Sequence, residues 1–235
     1  MTWGLLRVKN EARWIERAIV SICPICDRIL VLDDHSTDGT PEICAAAGCT
    51  VFRSEFEGVR EARDKDWLLA RCWEAGAAVG DCCLMIDGDE ALHLDDVGEL
   101  RKAIARGVIC GSMRIVYLWD REDQARVDGV YRRFRRPSLF RLTHRGLSFL
   151  RTGNGGEFHC SSVPADLLQF SEALPVRLLH YGYMLGEDRI RKYNWYNQID
   201  PRNRFEDGYR HIVIGDIFPA ESVFRHAGPL ELEKI

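Results

Sequence analysis

The sequence has no apolar run that approaches membrane-spanning length, so no segment reads as a transmembrane helix. Its opening, MTWGLLRVKNEARW, lacks the long apolar stretch of a signal peptide, and charged residues follow at once. It lacks any excess of positive charge. The formal net charge is -4 and the pI is ≈ 6.0, which excludes a general nucleic-acid or membrane-surface binder. There is no internal repeat and no low-complexity linker. Cysteine is present as nine scattered residues, an odd count, and several sit in apolar runs, such as Cys82 and Cys83. That usage fits reduced, buried thiols rather than a disulfide framework. Cys23 and Cys26 have the spacing of a redox pair or half a zinc site, but no second pair completes a zinc site. The plain reading of CPIC is ordinary cysteine at a helix-to-strand junction. These absences lead to the expectation of a soluble cytoplasmic protein, bacterial or virus-encoded.

What is present is a chain of 235 residues, 46% of them hydrophobic, enough for one sizeable core. Its first half alternates short apolar runs with helical patterns. Strands are expected at Gly4–Val8, Arg28–Leu32, Thr50–Phe52 and Cys82–Ile86. Helices are expected at Glu11–Ile22, from Thr40 to Gly48 with Thr40 as N-cap, at Val59–Glu74, and from a cap at Asp95 to Gly107. This alternation predicts an α/β fold: a mostly parallel sheet with helices on both faces. The second half differs. Strands are expected at Ile109–Leu118 and Leu174–Met184, and a helix at Asp188–Ile199, while the segment from Pro201 onward gives no clear pattern. The expectation is one domain, 1–235, with a nucleotide-binding half (1–108) and an acceptor-facing catalytic half (109–235).

Two acid clusters follow buried strands: Asp33-Asp34 after RILVL, and Asp87, Asp89 and Glu90 after CCLMI. Ligands bind such sheets beyond the carboxyl ends of the strands. Ionised acids resist desolvation, so two clusters on one rim read as a site rather than as stability devices. A D-x-D pair of hard oxygen donors suits Mg2+ or Mn2+, held with substrate phosphates. His180, near the end of a late strand, is the best candidate for a third ligand, and its nitrogen favours Mn2+. The bland alternatives are an ordinary Asp-Gly turn and a core histidine.

Three stretches, VKNEARWIERAI, RILVLDDHSTDGTPEI and LMIDGDEAL, together resemble the family-2 glycosyltransferases of the GT-A fold, over roughly the first 110 residues. A late LLHYGY is similar to a strand end that recurs in soluble members. The resemblance implies an inverting, metal-dependent transfer of a hexose from a UDP-sugar, UDP-glucose or similar. It implies that Asp33 or Asp34 accepts a hydrogen bond from the base and that Glu11 lies near base and ribose. Arg63 would contact the nucleotide, although Asp64 stands where many relatives have Asn. Asp87 would reach the ribose or a metal-bound water, and Asp89 the metal.

Cleaving a sugar–phosphate bond builds negative charge on the leaving diphosphate, which a bound cation neutralises. An inverting enzyme also needs one general base on the acceptor side. Glu157, in the Gly-rich GNGGEFHC stretch, is the first candidate; His159, Asp120 and Asp123 are rivals. From Tyr131 to Arg151 the chain carries seven Arg and no acid. Arg133, Arg135, Arg136 and His159 are therefore candidates for binding an anionic acceptor: a phosphorylated glycan or glycolipid, or a hydroxymethylated base in viral DNA. A solvated strand face is the plain alternative. Two other functions compete. A nucleotidyltransferase of similar fold usually opens with a glycine-rich phosphate loop, which LLRVKNEAR lacks. A non-catalytic nucleotide-sugar sensor or nucleic-acid-binding module would have little use for both acid clusters.

Overall fold

The computed structural model describes residues 1–149, 160–201 and 207–235. In chain order the elements are β1 (Thr2–Val8), α1 (Ile15–Ile22), β2 (Arg28–Asp33), α2 (Thr40–Ala46), β3 (Thr50–Arg53), α3 (Glu61–Glu74), β4 (Cys82–Met85), β5 (Glu90–Leu92), α4 (Val97–Ala105), β6 (Cys110–Trp119), β7 (Arg121–Arg126), β8 (Arg135–Arg141), β9 (Ser171–His180), α5 (Gly186–Ile199) and β10 (Leu232–Lys234). They form two compact units, residues 1–114 with 135–177, and residues 115–134 with 178–235.

In the first unit β3, β2, β1 and β4 lie side by side and parallel. Strand β8 adds to β4 in the antiparallel sense, and β6 to β8. The period-2 alternation of β1 explains how both faces are covered. Trp3 and Leu5 point to a core that includes Leu30, Leu32, Cys83 and Met85 and is closed by Leu68, Leu69 and Cys72 of α3. On the opposite face a Cβ at Gly4 would lie 3.0 Å from Ile22 of α1 and 3.1 Å from Ile29, so only glycine lets the helix approach the sheet this closely. The expected α/β class is what is observed.

Most expected boundaries shift by a few residues, β9 running Ser171–His180 rather than Leu174–Met184, and at three helix starts polar contacts accompany the shift. Helix α1 starts at Ile15 rather than Glu11. The backbone N–H groups of Asn10, Glu11 and Ala12 are donated to Ser36, Thr40 and Asp38 side chains, which holds this stretch out of the helix. Thr40 is the first residue of α2 rather than its cap, because its hydroxyl is engaged with Asp38 and the Glu11 N–H. Asp95 does not cap α4: a short 3₁₀ turn, Leu94–Asp96, precedes that helix. The Asp96 carboxylate instead accepts the Arg177 N–H at 2.8 Å and the Arg177 guanidinium at 2.8 and 2.9 Å.

In the second unit β7 pairs antiparallel with the end of β6 and with β10. Its centre is Arg126, fully buried, ion-paired to Asp128 at 2.7 Å and lying over the rings of Trp119 and Tyr131. The previously unplaced tail supplies a 3₁₀ segment, Asp207–Val213, and strand β10. All nine cysteines are unbridged; Cys23 is exposed, Cys26 half-buried and the others buried. Burial pushes the Cys26 thiol well up, the opposite of what a reactive redox pair requires. Among the described residues, no helix is long and apolar enough to cross a membrane.

Candidate functional site

The carboxyl rim of the parallel sheet carries both acid clusters. Val8 and Asp33 are register partners at the ends of β1 and β2. Both oxygens of Asp33 accept from the Ser36 N–H, at 3.3 and 3.2 Å, and so shape the turn that follows. Asp34 is buried and takes a guanidinium nitrogen of Arg7 at 2.8 Å and the Lys9 ammonium at 3.5 Å. The same guanidinium bonds Asp64 at 2.8 Å, and Asp64 in turn holds Arg63. Burial works against the charge on Arg7, but Asp64 and Asp34 outweigh it and hold its pKa above the ordinary value. This network gives Asp64 a charge-pairing reason to be an acid. Arg63 lies over the Phe56 ring, 4.3 Å from its centroid, and donates to the Gly58 carbonyl at 2.9 Å. His35 approaches the Phe56 carbonyl at 3.0 Å. The DDHSTDGT stretch is thus a laced loop: Ser36, Asp38 and Thr40 bind the backbone after β1.

The second cluster sits on a tight turn beyond β4. The Glu90 N–H is donated to the Asp87 carbonyl at 3.1 Å, and the Asp87 N–H to Glu90 Oε2 at 3.0 Å. A Cβ at Gly88 would lie 3.0 Å from Val8 Cγ1 and 3.1 Å from Glu11 Cγ. Glycine therefore lets this turn pack against the loop after β1, and it brings Glu11 beside the D-x-D pair. Asp89 and Glu90 are buried, whereas the Asp87 side chain is 47% exposed.

Arg136 is the residue that organises this turn. The antiparallel register pairs Leu84 with Leu139. Continued three residues, it puts Arg136 opposite Asp87. One guanidinium bridges Asp87 Oδ2, at 2.7 Å, and Glu90 Oε2. Loss of hydration opposes ionisation of Asp87, but Arg136 and Lys65 outweigh it and the repulsion from Asp89, so its pKa lies below the usual range. Burial, with Asp87 and Asp89, pushes the Glu90 carboxyl up to about 7 against the pull of Arg136. Lys65 is a second interior cation, bonded to Glu61 at 3.2 Å and to the carbonyls of Cys160 and Ser161 at 3.2 and 3.3 Å. Sequence reasoning missed Arg7, Lys65 and the role of Glu90.

The other expected residues are placed as follows. His180 is buried in the second unit, its ring 5.0 Å from that of Tyr117 and 4.5 Å from that of Tyr183. Arg133 is exposed. Arg135 donates to the carbonyls of Ser112, at 2.9 Å, and Leu174. Arg135 and Arg136 therefore have internal partners. Asp120 is paired with Arg189 at 2.8 Å. Asp123 is paired with Arg121 at 2.9 Å, which lowers its pKa, the wrong direction for a general base. Glu157 and His159 lie outside the described residues.

Among the described residues, no group of three or more His, Cys, Asp or Glu is arranged to hold a metal ion. The donor set still fits Mg2+ or Mn2+, because such ions commonly take one or two carboxylates and complete their shell with waters and substrate phosphates. Half-exposed Asp87 and buried Asp89, two residues apart at a strand end, are that kind of donor pair.

A TPR repeat-containing protein of Synechococcus elongatus is 33% identical over 97 residues, 41% of this chain and 22% of that protein. An uncharacterized protein of Mycobacterium tuberculosis is 28% identical over 223 residues, 87% of this chain and 52% of that protein. An uncharacterized glycosyltransferase of Rickettsia felis is 32% identical over 97 residues, 41% of this chain and 31% of that protein. The chain thus spans at most about half the length of these relatives, 22%, 52% and 31% in turn. Among solved structures, glucosyl-3-phosphoglycerate synthase from M. tuberculosis, in complex with Mn2+, UDP and glucosyl-3-phosphoglycerate, is 26% identical with a TM-score of 0.37, covering 50% of this chain and 44% of that one. The profile of Glycosyl transferase family 2 matches residues 6–156, more than half of the sequence and the whole of the rim just described, and the chain belongs to that family.

Proposed function

We propose that this chain is a metal-dependent, inverting glycosyltransferase that moves a hexose from a UDP-sugar to a hydroxyl acceptor. The observation that carries the reading is the pairing of two carboxylate clusters on one rim, at the ends of parallel strands β2 and β4, in a chain of family 2. In an open α/β sheet that rim is the place for a nucleotide.

The roles divide along the rim. The loop after β2, with Asp33, Asp34 and Glu11 near it, receives the base and ribose. Arg63, steadied by Asp64 and Phe56, lines that end. Asp87 and Asp89 would hold the cation that balances the charge of the donor diphosphate. When bound, Mn2+ or Mg2+ supplies neutralisation of the charge that builds on the leaving diphosphate. Buried Asp89 keeps its carboxylate in place, so little reorganisation accompanies that charge. Glu157 is proposed to take the proton of the attacking hydroxyl. Exposed Arg133 is proposed to meet an anionic acceptor, a phosphorylated glycan or a hydroxylated nucleobase.

The test is hydrolysis and transfer of radiolabelled UDP-glucose, with and without Mn2+, alongside Glu157→Gln. Metal-dependent turnover that Glu157→Gln loses while still binding donor supports the reading. Donor binding with no turnover under any metal condition points to a sensor instead.

A further inference from the structure

The turn that carries the D-x-D pair already contains a cation, and it is part of the protein. Arg136 comes from β8, and the β4–β8 register fixes its position. Its guanidinium spans two carboxylates, Asp87 at 2.7 Å and Glu90, while its Nε faces Ser138 Oγ at 3.4 Å. The side chain is 19% exposed, Glu90 is 1% exposed, and the Arg136–Glu90 side of the bridge is shut away from water. Such a planar, two-armed contact suits a guanidinium and not a hydrated ammonium. Lys65 adds a second positive charge from α3, close enough to act on Asp87. A divalent cation that arrives alone meets an Asp87 already paired with Arg136, and it meets the repulsion of Arg136 through that shared ligand. A donor diphosphate changes that balance, because it brings negative charge that both cations can share.

We infer that Arg136 is a resident counter-cation of the Asp87–Glu90 turn, so that this site takes up a divalent metal strongly only together with a nucleoside diphosphate. The inference deepens the proposed donor site and rests on that reading. It makes Arg136 a positioning residue that sets the order of assembly, because metal without donor is weakly held.

The test is a titration of Mn2+ followed by the electron paramagnetic resonance signal of the free aqueous ion. Wild type, Arg136→Gln and Arg136→Lys are compared, each alone and with saturating UDP. In wild type, UDP tightens Mn2+ binding about tenfold or more, within the usual range of coupling between sites. Arg136→Gln without UDP binds Mn2+ about tenfold more tightly than wild type, and UDP then adds little. Arg136→Lys, which keeps the charge but loses the two-armed contact, falls between wild type and Arg136→Gln. Should Arg136→Gln fail to fold by circular dichroism, the double variant with Glu90→Gln removes the stranded carboxylate, and the same comparison is read there. Mn2+ binding without UDP that is no tighter in the glutamine variant, while UDP still tightens it in wild type, overturns this inference alone. Wild type that takes up neither UDP nor Mn2+ with UDP overturns the donor reading and this inference with it.

Discussion

The two acid clusters on the rim look alike as sequence and differ as chemistry. After β2, Asp34 is buried against Arg7 and Lys9, and Arg7 is shared with Asp64. After β4, Asp87 is half exposed, Glu90 is crowded by two other acids, and one arginine spans the turn. The first cluster is a closed charge network with interior cations on every side, and it sets the shape of a loop. The second keeps a carboxylate facing solvent and holds acids closer together than stability favours. Strand-end acids therefore differ in environment even on one rim: Asp34 is buried against cations, while Asp87 keeps a half-exposed carboxylate.

The comparison can be broken first at Asp89. Asp89→Asn lowers metal-dependent donor turnover by about 10³-fold, the scale of losing a cation's charge stabilisation, while its thermal midpoint stays near that of wild type. An equal effect from Asp34→Asn on turnover, at unchanged stability, would erase the distinction between the clusters. Next is Arg7→Met, which strands Asp34 and Asp64 indoors and costs about 3 kcal/mol in urea unfolding. Arg136→Gln costs less in the same assay, because Glu90, pushed up to about 7, takes up a proton near neutral pH. Gly88→Ala forces a methyl to within 3.0 Å of Val8 and 3.1 Å of Glu11. That overpacking costs about 1–3 kcal/mol and weakens UDP binding by moving the turn.

A separate effect is on pH dependence. A carboxyl with a raised folded-state pKa binds its proton more tightly folded than unfolded. Stability then falls as pH rises from the unfolded value, about 4.3 for Glu, through about 7. The slope due to Glu90 is at most about 1.4 kcal/mol per pH unit. Thermal melts from pH 5 to 8 check it: Glu90→Gln flattens the profile, and an unchanged profile removes Glu90 as its source.

Six strands, β1 to β4, β6 and β9, are legible as short apolar runs, whereas β7 and β8 are too charged and β5 and β10 too short to show one. Both acid clusters were legible because the runs end in them. What the sequence hid was pairing at long range. Nothing local marks Arg136 as the partner of Asp87; the β4–β8 register does that, across 49 residues. The same holds for Arg7 and Asp64, 57 residues apart. Helix starts differ at Glu11 and Thr40, where side chains of the loop after β2 bind the backbone after β1, and at Asp95, where a 3₁₀ turn precedes the helix. The arginine-rich run read as a patch because like residues in sequence suggest like roles. Folding gives Arg135 carbonyl partners and Arg136 carboxylates, and leaves Arg133 outside.

The most direct test of the account is isothermal titration of UDP into wild type and Asp89→Asn, each with Mn2+ and with the metal chelated. The account predicts UDP binding in wild type that requires Mn2+ and is lost in Asp89→Asn. UDP binding of the same strength with the metal chelated, or retained in full by Asp89→Asn, would contradict the claim that the rim beyond β4 holds a cation under the diphosphate.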